Sequence, residues 1–370
     1  IRSPSKVCSA GQSLLLERTT CPLKGSRMHV RYTGHFAITH ALFTFISIAR
    51  SACGVHDLYA DGITSLTNAT VRYELIEEHY IQLTRGDISV IVVDNSAVDI
   101  PELPKHRAGY NGIASLKHTQ QRKNVFVPTI SGLNFEHIHD GTTAGLTEKF
   151  EPRKFPMQLR KINEFTVELY QAPTGNWKLE SCGRYSLLTD GTIEYTFECI
   201  PRANAYSKGY IGLFWASYID KPKDKAIHFK GHQKHTAKSS RWIKATTPSH
   251  GIESTHPPNA NHNTIEVELD FPLTLVGNLS NYEYLESWYY GVSDQMALAF
   301  MFRPKDKIWF AQSPSGGGKG NPAWDFQWFI QDVTIGKSYG FTMRAGYLPF
   351  VGRESLEKET QRNRTALQNQ

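Results

Sequence analysis

Helical periodicity is almost missing from this chain, as are a fixed-length repeat, a clustered basic stripe and a long unbroken apolar run. The first two absences leave short strands as the building material and rule out a repeat array. Lysine and arginine total 41 against 35 acids, and the resulting +6 is scattered along the chain. Nucleic-acid binding wants a basic stripe, and the nearest approach to one is "FKGHQKHTAKSSRWIK", so no nucleic-acid partner is expected. The apolar run from about Phe36 to Ala49 is too short and too interrupted by His and Thr to span a membrane stably. Cysteine is scarce: of five, Cys8, Cys21 and Cys53 precede residue 54, leaving Cys182 and Cys199 in the body.

What is present is a 370-residue chain with 40% hydrophobic and 12% aromatic residues, enough to bury a full core. Residues 1–27 are polar and aperiodic and read as an annotated extension ahead of a true start at Met28. From Met28 an arginine, an apolar run and the small residues Ser51 and Ala52 follow in the order of a secretory signal peptide, ending near residue 53. A lipid anchor at Cys53 is the rival use of this segment, although Arg50 and Ser51 suit a lipobox poorly. Export to the periplasm or beyond is the expectation.

In "SCGRYSLLTDGTIEYTFEC" the Asp190-Gly191 pair predicts a two-residue hairpin turn. That register sets Thr189 opposite Thr192 and, counting outward, Cys182 opposite Cys199 at a non-hydrogen-bonded site. Such sites bring Cα atoms to about 4.5 Å, within disulfide reach. A Cys182–Cys199 disulfide is therefore expected, with two free core cysteines the alternative.

From about residue 62 to 350 the chain is a succession of short alternating runs, among them "DISVIVVDN", "FTVELYQAP", "YIGLFWASYI", "NTIEVELDFPLTL", "MALAFMFRP" and "YGFTMRAGYLPF". The pattern predicts an all-β protein, a large antiparallel two-sheet sandwich, followed by a polar tail over 351–370; candidate helices are confined to the leader and to this tail, "RESLEKETQRNRTALQNQ". Two stretches break the rhythm, "GHQKHTAKSSRWIKATTPSHGIESTHPPNANHN" and "SPSGGGKGNPAWDFQW". Long irregular insertions are often functional.

Chemistry is suggested at four places. "GLNFEHIHDGTT" sets His137 and His139 two apart, on one face of a strand, with Glu136 and Asp140 beside them. A metal pair, an acid-base histidine at a sheet rim and a polar turn without chemistry all fit this stretch. His228, His232, His235 and His256 offer further imidazoles. "NYEYLESWYYGVSD" places Glu283, Glu286 and Asp294 near Trp288, an aromatic–carboxylate mixture suited to a pyranose: rings cover its C–H face and carboxylates take its hydroxyls. A core aromatic cluster with solvated glutamates is the plainer account. "SGGGKGNPAWDF" lacks P-loop spacing and reads as a turn approaching a ligand, with Trp324 as a platform and Asp325 beside it.

"GLNFEHIHDG", "FWASYI", "SPSGGGKGNPAWDFQ" and "MRAGYLPF" together resemble secreted proteins of planctomycete type, over roughly residues 66–350, and the fold resembles the galactose mutarotase-like super-sandwich. Aldose 1-epimerases of that superfamily carry an Asn-x-x-Leu-His-Gly-Gly type motif, and "NFEHIHDG" is similar, with His139 at the sugar-binding histidine and Asp140 in place of a glycine. The resemblance implies a second histidine as acid, for which His232 is the choice, and a later glutamate as base, Glu283 or Glu286. The substrate-binding set is then His137, Asp140, Trp288, Asp294, Trp324 and Asp325. The expected partner is a mono- or oligosaccharide, with no cofactor and no metal. The rivals are a sugar-binding module without catalysis and a metal-dependent polysaccharide hydrolase or lyase.

Overall fold

The computed structural model describes residues 62–143, 149–235, 239–247 and 253–370, so the leader-like segment and its cysteines lie outside the described residues. In chain order the strands begin with β1 (Glu74–Ile76), β2 (Tyr80–Arg85), β3 (Ile88–Val93), β4 (Val98–Ile100), β5 (Leu103–His106), β6 (Gly112–His118) and β7 (Asn134–His139). After the one-turn helix α1 (Glu151–Lys154) come β8 (Met157–Asn163), β9 (Thr166–Gln171), β10 (Leu179–Leu187), β11 (Ile193–Pro201) and β12 (Ile211–Ala216). Next are β13 (Ile227–Gln233), β14 (Arg241–Ala245), β15 (Ser254–His256), the short α2 (Thr274–Gly277) and β16 (Leu279–Tyr284). The remainder is β17 (Trp288–Ser293), β18 (Met296–Phe302), β19 (Trp309–Ser313), β20 (Ala323–Ile330), β21 (Tyr339–Pro349) and the C-terminal helix α3 (Arg353–Gln368).

The expected all-β sandwich is present, but its two layers are one continuous ladder. The path runs β1-β8-β9-β10-β11-β21-β18-β17-β13-β16-β15-β19-β20-β12-β7. Strand β13 is the corner: it meets β17 only at His228–Tyr290, and meets β16 through Gly231–Gln233. Past this corner the ladder returns over itself, and aromatic rings meet across the gap. Phe135 on β7 lies 5.0 Å from Phe197 on β11, Trp215 on β12 lies 5.0 Å from Phe341 on β21, and Tyr289 on β17 lies 4.9 Å from Phe310 on β19. Each such ring brings a large buried area, so truncating fully buried Trp215 to alanine would cost about 3–5 kcal/mol. All pairings in the long ladder are antiparallel except β15 with β16.

Each layer also has an outer face, and both are covered. Helix α3 lies on the first, with Leu356 and Leu367 packed with Trp288, Tyr290 and Met301. The polar C-terminal segment, a candidate helix in the sequence, is a helix, and it is docked on the sheet. Arg364 reaches Glu286 at 2.9 Å, and Arg344 joins Glu194 at 2.7 Å and Asn363 at 2.9 Å. The second outer face is covered by residues 257–277, whose Ile265, Phe271, Leu275 and Val276 pack on Phe214, Tyr210 and Trp309. Here the alternating "NTIEVELDFPLTL" departs from its strand pattern. It forms loop and a helical turn, anchored where Glu268 N–H donates to Gly141 O at 2.9 Å and Tyr210 Oη–H to Glu266 O at 2.8 Å. Conversely, the histidine-rich stretch read as irregular contains β14 and β15.

The Cys182–Cys199 expectation is corrected by one residue of register. The turn closes through Leu188 N–H to Thr192 O at 2.8 Å, with Gly191 at φ +80°, a three-residue loop with a left-handed glycine in place of the two-residue turn. Leu187 therefore faces Ile193, Cys182 faces Glu198 and Cys199 faces Ser181. A one-residue slip moves side chains to opposite faces of a sheet. Cys199 points into the sandwich core, Cys182 to the other side, and both are free thiols. Burial holds both thiols well above the ordinary range, so neither presents a thiolate. Brief alkylation of native protein should leave both residues unmodified, whereas alkylation in denaturant should label each separately. A linked Cys182–Cys199 peptide pair in non-reducing digests would overturn this register.

Candidate functional site

The site begins with a bulge. Between β12 and β7, Phe214 pairs with His137 and Trp215 with Phe135, so Glu136 is the extra residue. A bulge places two consecutive side chains on one side of a strand. Phe135 and Ile138 join the sandwich core, while Glu136 and His137 both line a cavity of about 220 Å³ on the outer face of the second layer. Phe214, Ala216, Tyr218 and Asp325 complete its floor, Lys149 and Phe150 one side, and Pro272, Leu273 and Leu275 of the covering segment its roof.

Two carboxyl groups face this cavity in different environments. Glu136 accepts from Arg153 Nη1 at 3.0 Å and from the Tyr218 hydroxyl at 2.7 Å, a set of donors that favours the ionised form. Asp325 is 2% exposed, and the protein donor to its side chain is Ser217 N–H, at 3.1 Å. Burial, with the Glu136 charge nearby, pushes the Asp325 carboxyl well above the carboxylate range. His137 lies between aromatic rings, 4.5 Å from Phe150 and 5.2 Å from Phe214, with Nε2 4.0 Å from Glu136 Oε1. A buried carboxyl of raised pKa, an imidazole and a paired carboxylate around one small apolar-walled cavity can give and take a proton on a bound molecule.

Of the residues singled out in the sequence, the structure brings together His137 and Asp325. His139 is 1% exposed and sits outside the cavity, among Phe271 at 5.0 Å, Phe329 at 6.1 Å and Tyr210 at 6.3 Å, with neither ring nitrogen hydrogen-bonded. The expected rim histidine is a buried neutral one: burial, with the Lys149 charge adding, holds its pKa down to about 3.

His232 and Glu283 do meet, Nε2 to Oε2 at 3.4 Å, but far from His139. Cross-strand partners run in one row: His232, Glu283, His256, Trp309, Gln327, Phe214 and His137. At about 4.8 Å per strand, six steps separate the ends of that row by roughly 29 Å along the sheet. No single ring spans that distance.

The other expected site residues have structural work. Glu286 accepts from Arg364 and from the Trp288 indole N–H at 2.9 Å each and pairs with Lys230 at 3.2 Å, so it anchors α3, and Trp288 is buried beneath that helix. Trp324 is 0% exposed inside the sandwich, its indole N–H bonded to Lys225 O, and offers no stacking platform. Asp140 accepts from Thr142 and Ser207 and fastens a turn, and Asp294 pairs with Lys123 at 3.3 Å at the surface. Among the described residues no group of three His, Cys, Asp or Glu side chains is arranged to hold a metal ion.

Sequence reasoning passed over Tyr218, Phe150, Phe214 and Gln327. Gln327 lies mid-row, fully buried, with neither amide oxygen nor amide nitrogen hydrogen-bonded to protein. Its one sequence signal is polarity inside the aromatic run "WDFQWF".

No protein-family model matches the chain, and no curated protein matches it. Among solved structures it is similar to a putative aldose 1-epimerase from Escherichia coli K12, at 11% identity and TM-score 0.42, covering 75% of this chain and 100% of that one. It is also similar to a heparan sulfate lyase from Pedobacter heparinus (8% identity, TM-score 0.38, 75% of this chain and 36% of that one). A third is a 4-alpha-glucanotransferase from Thermococcus litoralis (9%, TM-score 0.36, 74% and 39%). Similarities this distant assign the chain to no family.

Two stability outcomes follow. The unbonded Gln327 amide makes Gln327→Leu stabilising by about 1–2 kcal/mol in urea denaturation, because an apolar replacement of similar shape removes the desolvation cost. A loss of similar size would show that the amide has a protein partner. His139 has its folded pKa near 3, below its ordinary 6.5. The unfolded chain therefore takes up that proton first, and the contribution of His139, whole above pH 6.5, is lost as pH falls toward 3. His139→Phe should flatten the fall of stability between pH 6.5 and 4; an unchanged slope would place the titration elsewhere.

Proposed function

We propose that the protein binds a single sugar ring in the Asp325 cavity and catalyses proton transfer on it, at or near the anomeric carbon. The observation that supports this most directly is that buried Asp325, its pKa raised, lines one cavity with the Glu136–His137 pair. The cavity lies below the roughly 300–1,000 Å³ of drug-sized sites, on the scale of one ring. Phe150 and Phe214 can cover a ring's C–H face, and the few polar groups fix its hydroxyls.

In this reading Asp325 protonates the ring oxygen while His137 takes the proton of the anomeric hydroxyl, opening the ring without net change in charge. Reversal of both transfers on the other face closes it. Glu136 already receives two strong donors, which makes it a weak base. Its charge instead favours the imidazolium formed at His137, so it acts as a positioning residue. The three-part leader over residues 28–53 makes the protein exported in this proposal.

Anomer exchange of a panel of aldoses, followed by NMR, tests the proposal. Asp325→Asn and His137→Gln should each lower the exchange rate by about 10²–10⁴-fold, with melting temperature nearly unchanged for the isosteric Asp325→Asn. Binding of a sugar by thermal shift with no acceleration of exchange would reduce the site to a non-catalytic binding module. Absence of both binding and exchange across the panel would sink the reading.

A further inference from the structure

Next to the cavity floor lies a polar side chain that the fold leaves without a partner. Gln327 follows Asp325 by two residues on β20, so both side chains take the same face of the strand. Across the ladder it pairs with Phe214, which lines the cavity, and on its other side with Trp309. The residue is 0% exposed, and neither its amide oxygen nor its amide nitrogen is hydrogen-bonded. Buried amides are ordinarily bonded, and one bare at both ends is rare. A leucine between the same two rings would avoid the desolvation cost.

The chemistry that satisfies this amide is narrow, because it sets one acceptor beside two donors. A carboxylate or phosphate meets the NH2 and repels the oxygen, and an ammonium does the reverse. Two neighbouring hydroxyls serve both ends, one donating its proton and the other accepting. Phe214 and Trp309 flank the amide with apolar rings, the setting in which a few polar groups orient a small ligand.

Gln327 does not line the cavity itself, and Leu275 is the partition. Leu275 roofs the cavity and belongs to the same apolar cluster as Phe214 and Trp309. It sits on α2, a single helical turn outside the strand ladder. That turn is tied at its C-terminal end, where Ser254 Oγ–H donates to Leu275 O at 2.8 Å and Ser254 N–H to Asn278 O at 3.1 Å. The tie before it is Glu268 N–H to Gly141 O, and between the two the segment bonds to itself, through Phe271 N–H to Glu268 O and Val276 N–H to Leu273 O. Segments held this way open locally at lower cost than ladder strands. An outward shift of α2 joins the cavity to the Gln327 floor.

We propose that Gln327, between Phe214 and Trp309, is the recognition group of a second sugar subsite beneath the α2 turn, so that the ligand is a disaccharide or longer chain. This rests on the reading of the Asp325 cavity as a sugar site. Proton transfer at an anomeric hydroxyl requires that hydroxyl to be free, so the ring in the cavity is the reducing end. The second ring replaces the Leu275 contact with its own C–H face and gives the amide two hydroxyls.

Calorimetry on the purified protein tests this with reducing hexoses, their disaccharides in several linkages, and the same disaccharides deoxygenated at neighbouring positions of the second ring. At least one disaccharide should bind about tenfold or more tighter than its hexose, and deoxygenation should remove most of that advantage. Gln327→Leu, or Gln327→Met should the leucine variant not fold, should bring the disaccharide-to-hexose ratio within about threefold and no longer distinguish the deoxygenated analogue. In hydrogen exchange, the disaccharide should alter the Leu275 and Val276 amides more than the hexose does. Unchanged exchange there in a bound disaccharide complex would leave the turn in place and overturn the subsite. A disaccharide advantage that survives in both Gln327 variants would overturn it too, and would leave the amide to a buried water. Hexose binding with no disaccharide advantage would overturn the subsite and leave the cavity reading standing, whereas no binding of any sugar would overturn both.

Discussion

The whole outer face of the second layer depends on how the Glu136 carboxylate is kept buried. A carboxylate at 5% exposure is costly unless charged and hydrogen-bonded partners surround it. Arg153 and Tyr218 do this from different directions, one from the helical turn after the 144–148 stretch and one from beyond β12. Breaking the Arg153 contact would remove a charged partner from a buried carboxylate and so destabilise the fold. The same arginine packs on Tyr110 and holds Gly109 O, so the pair that stabilises the cavity floor also shapes the neighbouring concavity lined by Gly109 and Phe150. Charge burial and cavity are one arrangement.

That arrangement needs the β7 bulge. In a regular strand Glu136 and His137 would point to opposite faces, and one of them would enter the aromatic core between Phe135 and Trp215, whose rings stack at 4.9 Å. The extra residue lets Phe135 and Ile138 both point inward while the two polar side chains point outward. The charge of Glu136 also adds to the burial that raises the Asp325 pKa, so the bulge reaches as far as the acidity of a residue on β20.

How much of this could be read from the sequence follows from the range of the interactions involved. Alternation gave the strands of "DISVIVVDN" and "FTVELYQAP", because a half-buried strand writes its period locally. It also put His137 and His139 on one face correctly, yet only the fold decides that one lines a cavity and the other lies among three aromatic rings. The bulge is a property of pairing with β12 and leaves no local mark. Glu286 and Trp288 had the composition of a sugar subsite, but α3, about 65 residues later in sequence, takes both. Cys182 and Cys199 were misplaced by a single loop residue, since Asp-Gly serves two- and three-residue hairpins alike. "NTIEVELDF" alternates like a strand, and its location over an already paired sheet face leaves it anchored by single hydrogen bonds to Gly141 and Tyr210 in place of a strand ladder.

The two covers of the sandwich leave the faces beneath them in different states. Beneath α3 the charged groups are paired, Glu286 with Arg364 and Lys230 and Arg344 with Glu194, and Arg364 Nε alone of the Arg364 nitrogens has no hydrogen bond. Apolar contact from Leu356 and Leu367 fills the rest, so a ligand there would have to displace satisfied bonds. Beneath residues 257–277 the balance is different. Gln327 and His139 have polar atoms without hydrogen bonds, and burial raises the Asp325 pKa well above the carboxylate range. Each unbonded buried group costs about 1–3 kcal/mol, a cost the native state bears continuously. A hydroxyl-rich molecule that entered under this cover would recover part of it as binding energy. The unbonded Gln327 and His139 and the cavity lined by Asp325, Glu136 and His137 thus lie on the same face, and the same segment roofs it.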